Sequence, residues 1–215
     1  MAAIPLHMGF SACVTAWVTP TADDFQALAR SSPWRWTALH LRHRSRRLDV
    51  EVWLERPDGV RIIDSSGAPV TINLESQRPD GRATRPWDPV NGDDGLYWDN
   101  YSWLAMLDPV ELSHDVALAR LREDEVVGRA VWRADVRALP GYDPRCSCCA
   151  LVWCEVADTY EYGDRPGWTP TKEAYPDHYD VALDVATGIV VRCLPVGGSP
   201  DAARIENDIV EVDAG

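Results

Sequence analysis

The chain of 215 residues (24.0 kDa) is 46% hydrophobic and 26% charged, proportions that suit one domain with a real core and exclude a disordered chain. The formal net charge is −13 and the acid is unevenly placed: residues 1–90 hold 11 basic and 10 acidic side chains, whereas residues 91–215 hold 10 and 24. Such a chain repels phosphate backbones, which excludes broad nucleic-acid binding, and no run reaches the ~18 apolar residues that span a bilayer.

Residues 1–20 lack a basic start and an uninterrupted apolar run, so no signal peptide is read, no element is assigned there, and a cytoplasmic location is expected. Thr21 with Asp24 three residues on predicts a capped helix that carries Phe25 and Leu28 and ends near Ser32 and Pro33. From Trp34 the period changes to two. Leu48, Val50, Val52 and Leu54 alternate with Asp49, Glu51, Trp53 and Glu55, the pattern of a strand with one wet face, and Pro57-Asp58-Gly59 turns it back. Residues 34–75 thus read as an antiparallel meander of three or four strands. Within it, Arg42, Arg44, Arg46 and Arg47, with His40 and His43, form a basic run that is either a solvated strand face or a contact for an acidic partner.

Residues 76–95 read as loops, and the aromatic stretch Tyr97, Trp98, Tyr101 and Trp103 leads to a short helix with Asp108 as N-cap and Pro109 in first position, running toward Leu121. Residues 125–139 alternate again, with Val126, Ala130, Trp132, Ala134 and Val136 as the apolar row. Residues 140–149 form a Cys-rich connection, and the pattern over 151–162 fits a strand or a short helix equally. A Pro/Gly-rich loop over 163–178, a hairpin across Ala186-Thr187-Gly188 and a last strand over 204–212 complete the chain. The expected fold is α+β, mainly antiparallel β: one domain over residues 1–215, a curved sheet or half-barrel of about eight to nine strands with short helices covering the concave face.

This order of elements resembles the LolA-like half-barrel proteins, among them bacterial lipoprotein carriers and RseB-like sensors. The likeness covers roughly residues 25–213 and rests on Trp34-Arg-Trp36, on Leu48-Asp-Val-Glu-Val-Trp53 before the Pro-Asp-Gly turn, on Trp103-Leu-Ala-Met-Leu-Asp-Pro-Val-Glu-Leu112, on Gly128-Arg-Ala-Val-Trp132, and on the late Tyr179-Asp-Val-Ala-Leu-Asp-Val-Ala-Thr-Gly188. It implies a concave apolar pocket for an acyl chain, another hydrophobic molecule or a protein partner, and no catalysis. Members of that group are exported, whereas no export signal is read here.

Two sets of side chains carry chemistry. Ten Trp in a chain with two Phe supply aromatic surface, and Trp36, Trp53, Trp98, Trp103, Met106 and Trp132 are the candidate walls of a ligand pocket, with ordinary core packing as the alternative. Among them Trp53 stands out, because it shares parity with acidic residues and not with the apolar row. The second set is Cys146, Cys148, Cys149 and Cys154. The CxxC spacing of Cys146 and Cys149 fits one tetrahedral Zn²⁺, with Cys154, Cys193 or His178 completing the shell. Adjacent side chains usually diverge, so Cys148 and Cys149 are not expected on one ion. A thiol-redox pair, and thiols that merely pack as small apolar groups, stay open. No Gly-x-Ser-x-Gly, no His-x-x-x-His on a helix and no phosphate-binding glycine loop is present, so no catalytic residue is named. The expectation is a binding protein; the alternatives are a Cys-centred zinc or redox protein and an acidic subunit that meets a basic partner.

Overall fold

A computed structural model describes residues 19–46, 48–56, 59–70 and 102–214. Helix α1 (Ala22–Ser31) opens this part of the chain with the expected capping box: Asp24 N–H donates to Thr21 Oγ1 at 3.2 Å, and Thr21 N–H donates to Asp24 Oδ2 at 2.9 Å. Its stripe of Phe25, Leu28 and Ala29 is buried. A 3₁₀ turn over Ser32–Trp34, with Pro33 in its first positions, delays the first strand to Trp36.

Among the described residues nine strands follow: β1 (Trp36–Ser45), β2 (Asp49–Glu55), β3 (Gly59–Asp64), the two-residue β4 (Pro69–Val70), β5 (Val116–Val126), β6 (Arg129–Ala138), β7 (His178–Asp184), β8 (Val190–Val196) and β9 (Ile205–Ala214). They form one curved, unclosed antiparallel sheet in the order β4-β3-β2-β1-β9-β8-β7-β6-β5. The N-terminal meander and the C-terminal meander meet through β9, which pairs with β1 on one side and β8 on the other. Register carries one apolar row across the sheet: Leu41 faces Val52 and Ile209, Cys193 faces Ile205 and Val181, and Val181 faces Ala134. This inner face is covered by α1, by α2 (Ser102–Leu107) and by the Cys-rich connection, and its core holds all of Trp103 to Leu107.

The opposite face is polar and laced with ions. Arg133 makes a two-pronged contact with Asp180, which also accepts from Arg192 at 3.1 Å, and Arg129 grips Asp184 at 2.7 and 3.1 Å. The arginines of β6 therefore sit on the wet parity, and Ala134 and Val136 on the buried one. Asp184 Oδ1 also accepts from the Thr187 amide and hydroxyl, both at 2.8 Å, and so closes the β7–β8 turn. Gly188 completes that turn at φ +74°. A Cβ there would lie 2.7 Å from the Leu28 carbonyl oxygen, so glycine is what lets the hairpin rest on α1.

Three expectations are corrected. The helix predicted to run toward Leu121 stops early: after α2 there is only a 3₁₀ turn over Val110–Leu112, and residues 116–126 are strand β5. Asp108 does not cap that turn with its side chain; its carboxylate accepts from Arg145 at 2.6 Å, both groups being buried. The single strand predicted from residue 125 is broken by the hairpin turn Val127-Gly128, both at positive φ. The ambiguous stretch over 151–162 ends in helix α3 (Glu155–Tyr162). Trp98 and the neighbouring aromatics up to Tyr101, like most of the strand expected after Pro69, lie outside the described residues.

Candidate metal centre

The Cys-rich connection is a loop held at both ends by one buried carboxylate. Glu111 Oε2 accepts from the Arg145 amide at 3.2 Å, and Glu111 Oε1 accepts from the Leu151 amide at 2.7 Å and from the Tyr142 hydroxyl at 2.6 Å. Burial pushes the Glu111 carboxyl upward despite these donors. Between the two clasped ends the chain runs extended at Cys146 and then makes a 3₁₀ turn over Ser147–Cys149, closed by the Cys149 amide on the Cys146 carbonyl at 3.1 Å. Side chains three apart eclipse in such a turn, which brings Cys149 back to the side of Cys146. Ser102 Oγ donates to the Cys149 carbonyl at 3.1 Å and Ser147 Oγ to Glu161 at 2.8 Å, so α2 and α3 each hold the turn from a flank.

The result is a triad of thiols. The Sγ atoms of Cys146, Cys148 and Cys149 lie within 4.8 Å of one another, with 3.0 Å between Cys146 and Cys148 and 3.5 Å between Cys148 and Cys149. Cys148 is exposed and the other two are half-buried. Adjacent side chains in an ordinary backbone do diverge, but the tight turn lets Cys148 swing between its neighbours, so the triad includes the residue that spacing argues against. Burial first, then contact with Cys148, raises the Cys146 thiol above its ordinary range. At Cys148 the contact with Cys146 pulls the other way, yet burial, the Cys149 contact and the Glu161 charge together leave it raised.

The expected completing ligands stand apart. The Cys154 sulfur sits at the start of α3 against the amides of Val156 and Ala157, and burial raises its thiol. Cys193 is buried on β8 and donates to the Leu151 carbonyl at 3.4 Å; burial raises it strongly. His178 lies at the wet face of β7, beside Arg120 and Asp135.

The aromatic candidates do not share one hollow. Trp36 and Met106 are wholly enclosed in the core and Trp103 nearly so. Trp132 is half-buried on the inner face. Trp53 lies on the outer face, stacked on His40 at 4.4 Å with the Arg61 guanidinium 3.7 Å above it, beside a shallow hollow of about 440 Å³. A larger cavity, about 590 Å³, opens on the inner side between the Cys loop and the β8–β9 region. Cys148 and Cys149 are in its wall, with Trp103 and Trp153 and, across from the loop in sequence, His43, Arg46 and Arg204. His43 Nδ1 meets Asn207 Oδ1 at 2.8 Å, and its ring leans on Trp103 at 4.4 Å. No helix among the described residues is long and apolar enough to cross a membrane. No protein-family model, curated protein or solved structure matches the chain.

Proposed function

We propose that this chain is a binding protein for a thiophilic metal ion, Zn²⁺ foremost, held by Cys146, Cys148 and Cys149 at the covered side of a half-barrel-like sheet. The observation that carries the proposal is the convergence of three Sγ atoms within 4.8 Å on a loop clasped at both ends by Glu111. A tetrahedral ion with Zn–S near 2.3 Å spaces its sulfurs about 3.8 Å apart, so the Cys146–Cys148 and Cys148–Cys149 pairs have to open by less than about 1 Å. The raised Cys146 and Cys148 thiols speak against redox catalysis, because an attacking thiol works through a lowered pKa; a metal bound there has to displace their protons.

Native mass spectrometry of the reduced chain is expected to show one Zn²⁺ per molecule, lost on triple replacement of the triad by serine. A metal-free protein whose thiols all react freely after zinc has been offered would overturn the reading. A second reading, ligand binding as the LolA-like resemblance implies, is favoured by the 590 Å³ cavity. Saturable uptake of a fluorescent fatty acid with a change in Trp emission would support it, and no uptake would remove it.

A further inference from the structure

We propose that the thiol triad is the anchor point of a ligand pocket, and that the pocket takes a small anionic thiol, whose sulfur fills the fourth position on the metal while its carboxylate meets the arginines of the cavity wall. The inference rests on the metal reading and adds to it a ligand class.

Three features of the site lead there. Among the described residues, the groups that cluster closely enough for one ion are the three thiols, and no fourth Cys, His, Asp or Glu joins them. Cys154 faces the first amides of α3, and Cys193, also in the cavity wall, donates to the Leu151 carbonyl and lies outside the cluster. Zinc bound by three protein ligands keeps its fourth position for an outside molecule. Next, Cys148 and Cys149 are themselves wall residues of the 590 Å³ cavity, so that position gives onto a half-open cleft of the size that holds small molecules. Last, the charges complement. Three thiolates make a soft donor set, and a fourth sulfur matches it. The cavity wall also carries Arg46, paired with Asp201, and Arg204, which together leave one positive charge for an anionic tail. Trp103 and Trp153 add apolar surface to the same wall. On binding, the ligand thiol gives its proton to solvent, a sulfur–metal bond forms and a metal-bound water leaves; no electron changes hands.

The test uses the full reduced chain loaded with Co²⁺, whose visible and near-ultraviolet bands report thiolate ligation. Thioglycolate, 2-mercaptoethanol and acetate are titrated in turn, and retained cobalt is measured after desalting. Thioglycolate is expected to strengthen the sulfur-to-cobalt band saturably and to bind about tenfold more tightly than 2-mercaptoethanol, with acetate silent, and Arg204→Ala is expected to remove the tenfold preference. Cobalt bound with thiolate bands that no thiol alters would overturn the pocket while leaving the metal site standing. So would cobalt stripped from the protein by thioglycolate. Equal affinity for both thiols would overturn the anionic class. Absence of any thiolate–cobalt band in the reduced protein would overturn the metal reading and this inference together.

Discussion

Cys148 is the residue on which the metal proposal differs most from a plain CxxC motif. Its Sγ lies 3.0 Å from Cys146 and 3.5 Å from Cys149, so it is the middle member of the triad. Cys148→Ser is therefore expected to weaken Zn²⁺ as severely as Cys146→Ser or Cys149→Ser, by at least about a hundredfold, since even partners of the ligands are worth 10–100-fold. Cys154→Ser and Cys193→Ser are expected to leave the stoichiometry at one ion. Competition with a chromophoric chelator reads both; a Cys148→Ser variant with unchanged affinity would remove Cys148 from the site. The raised Cys146 and Cys148 thiols fix the sign of the pH dependence. These groups stay protonated at neutral pH, so binding releases protons, and affinity rises with pH by about one decade per unit for each thiol that must ionise, levelling off above the raised thiol values. Affinity measured between pH 6 and 8 that is flat would contradict thiolate ligation by these groups.

At the scale of elements, legibility followed the range of the determining contacts. Helix α1 was readable because its capping box spans four residues, and the β2 and β7–β8 patterns because alternation and a Thr-Gly turn are local signals. In sequence, strand β5 looks like helix because Ala117, Leu118, Ala119 and Leu121 are good helix formers, and only the distant pairing with β6 makes them a strand. The thiol triad was half legible. CxxC spacing pointed to Cys146 and Cys149, but the clasp that shapes the loop comes from Glu111, 34 and 40 residues away in sequence, which no local pattern announces. That clasp is testable. Glu111→Ala leaves the Tyr142 hydroxyl and two amides without their buried acceptor, and is expected to cost about 3 kcal/mol by chemical denaturation and to weaken Zn²⁺ by about 10–100-fold. Glu111→Gln, which keeps one carbonyl acceptor, is expected to recover part of both losses. The β5–β6 hairpin offers an opposite case. Val127, exposed, holds φ +49° ahead of Gly128 at +76°, a conformation that a β-branched residue adopts at a cost and Asn-Gly adopts readily. Val127→Asn is expected to stabilise the fold by about 1 kcal/mol, seen as a higher denaturation midpoint at constant slope; a loss of stability would show that Val127 packs on something the turn geometry does not reveal.

Across the whole molecule, the last strand in sequence is the seam of the sheet. Among the described residues, the N-terminal meander, β1 to β4, and the C-terminal meander, β5 to β8, are sheet neighbours only through β9. Ile209 sits on that seam, buried on the inner face opposite Leu41, while Asn207, two residues before it, hydrogen-bonds the Val190 carbonyl and the Met106 sulfur and meets His43. The seam therefore holds β1, β8 and α2 together, and the core runs continuously across it. Ile209→Ala removes buried methyl groups and is expected to cost about 3 kcal/mol. The more telling expectation concerns how that loss is shared. Emission from the core tryptophans Trp36 and Trp103, and thiol reactivity of the buried Cys193 on β8, are expected to shift by the same amount and keep a common midpoint in wild type and variant, because the two meanders unfold as one unit. If the tryptophan signal moved while Cys193 stayed protected, β9 would belong to the N-terminal meander alone, and the cavity beside the Cys loop would lie between two independently folding parts instead of inside one.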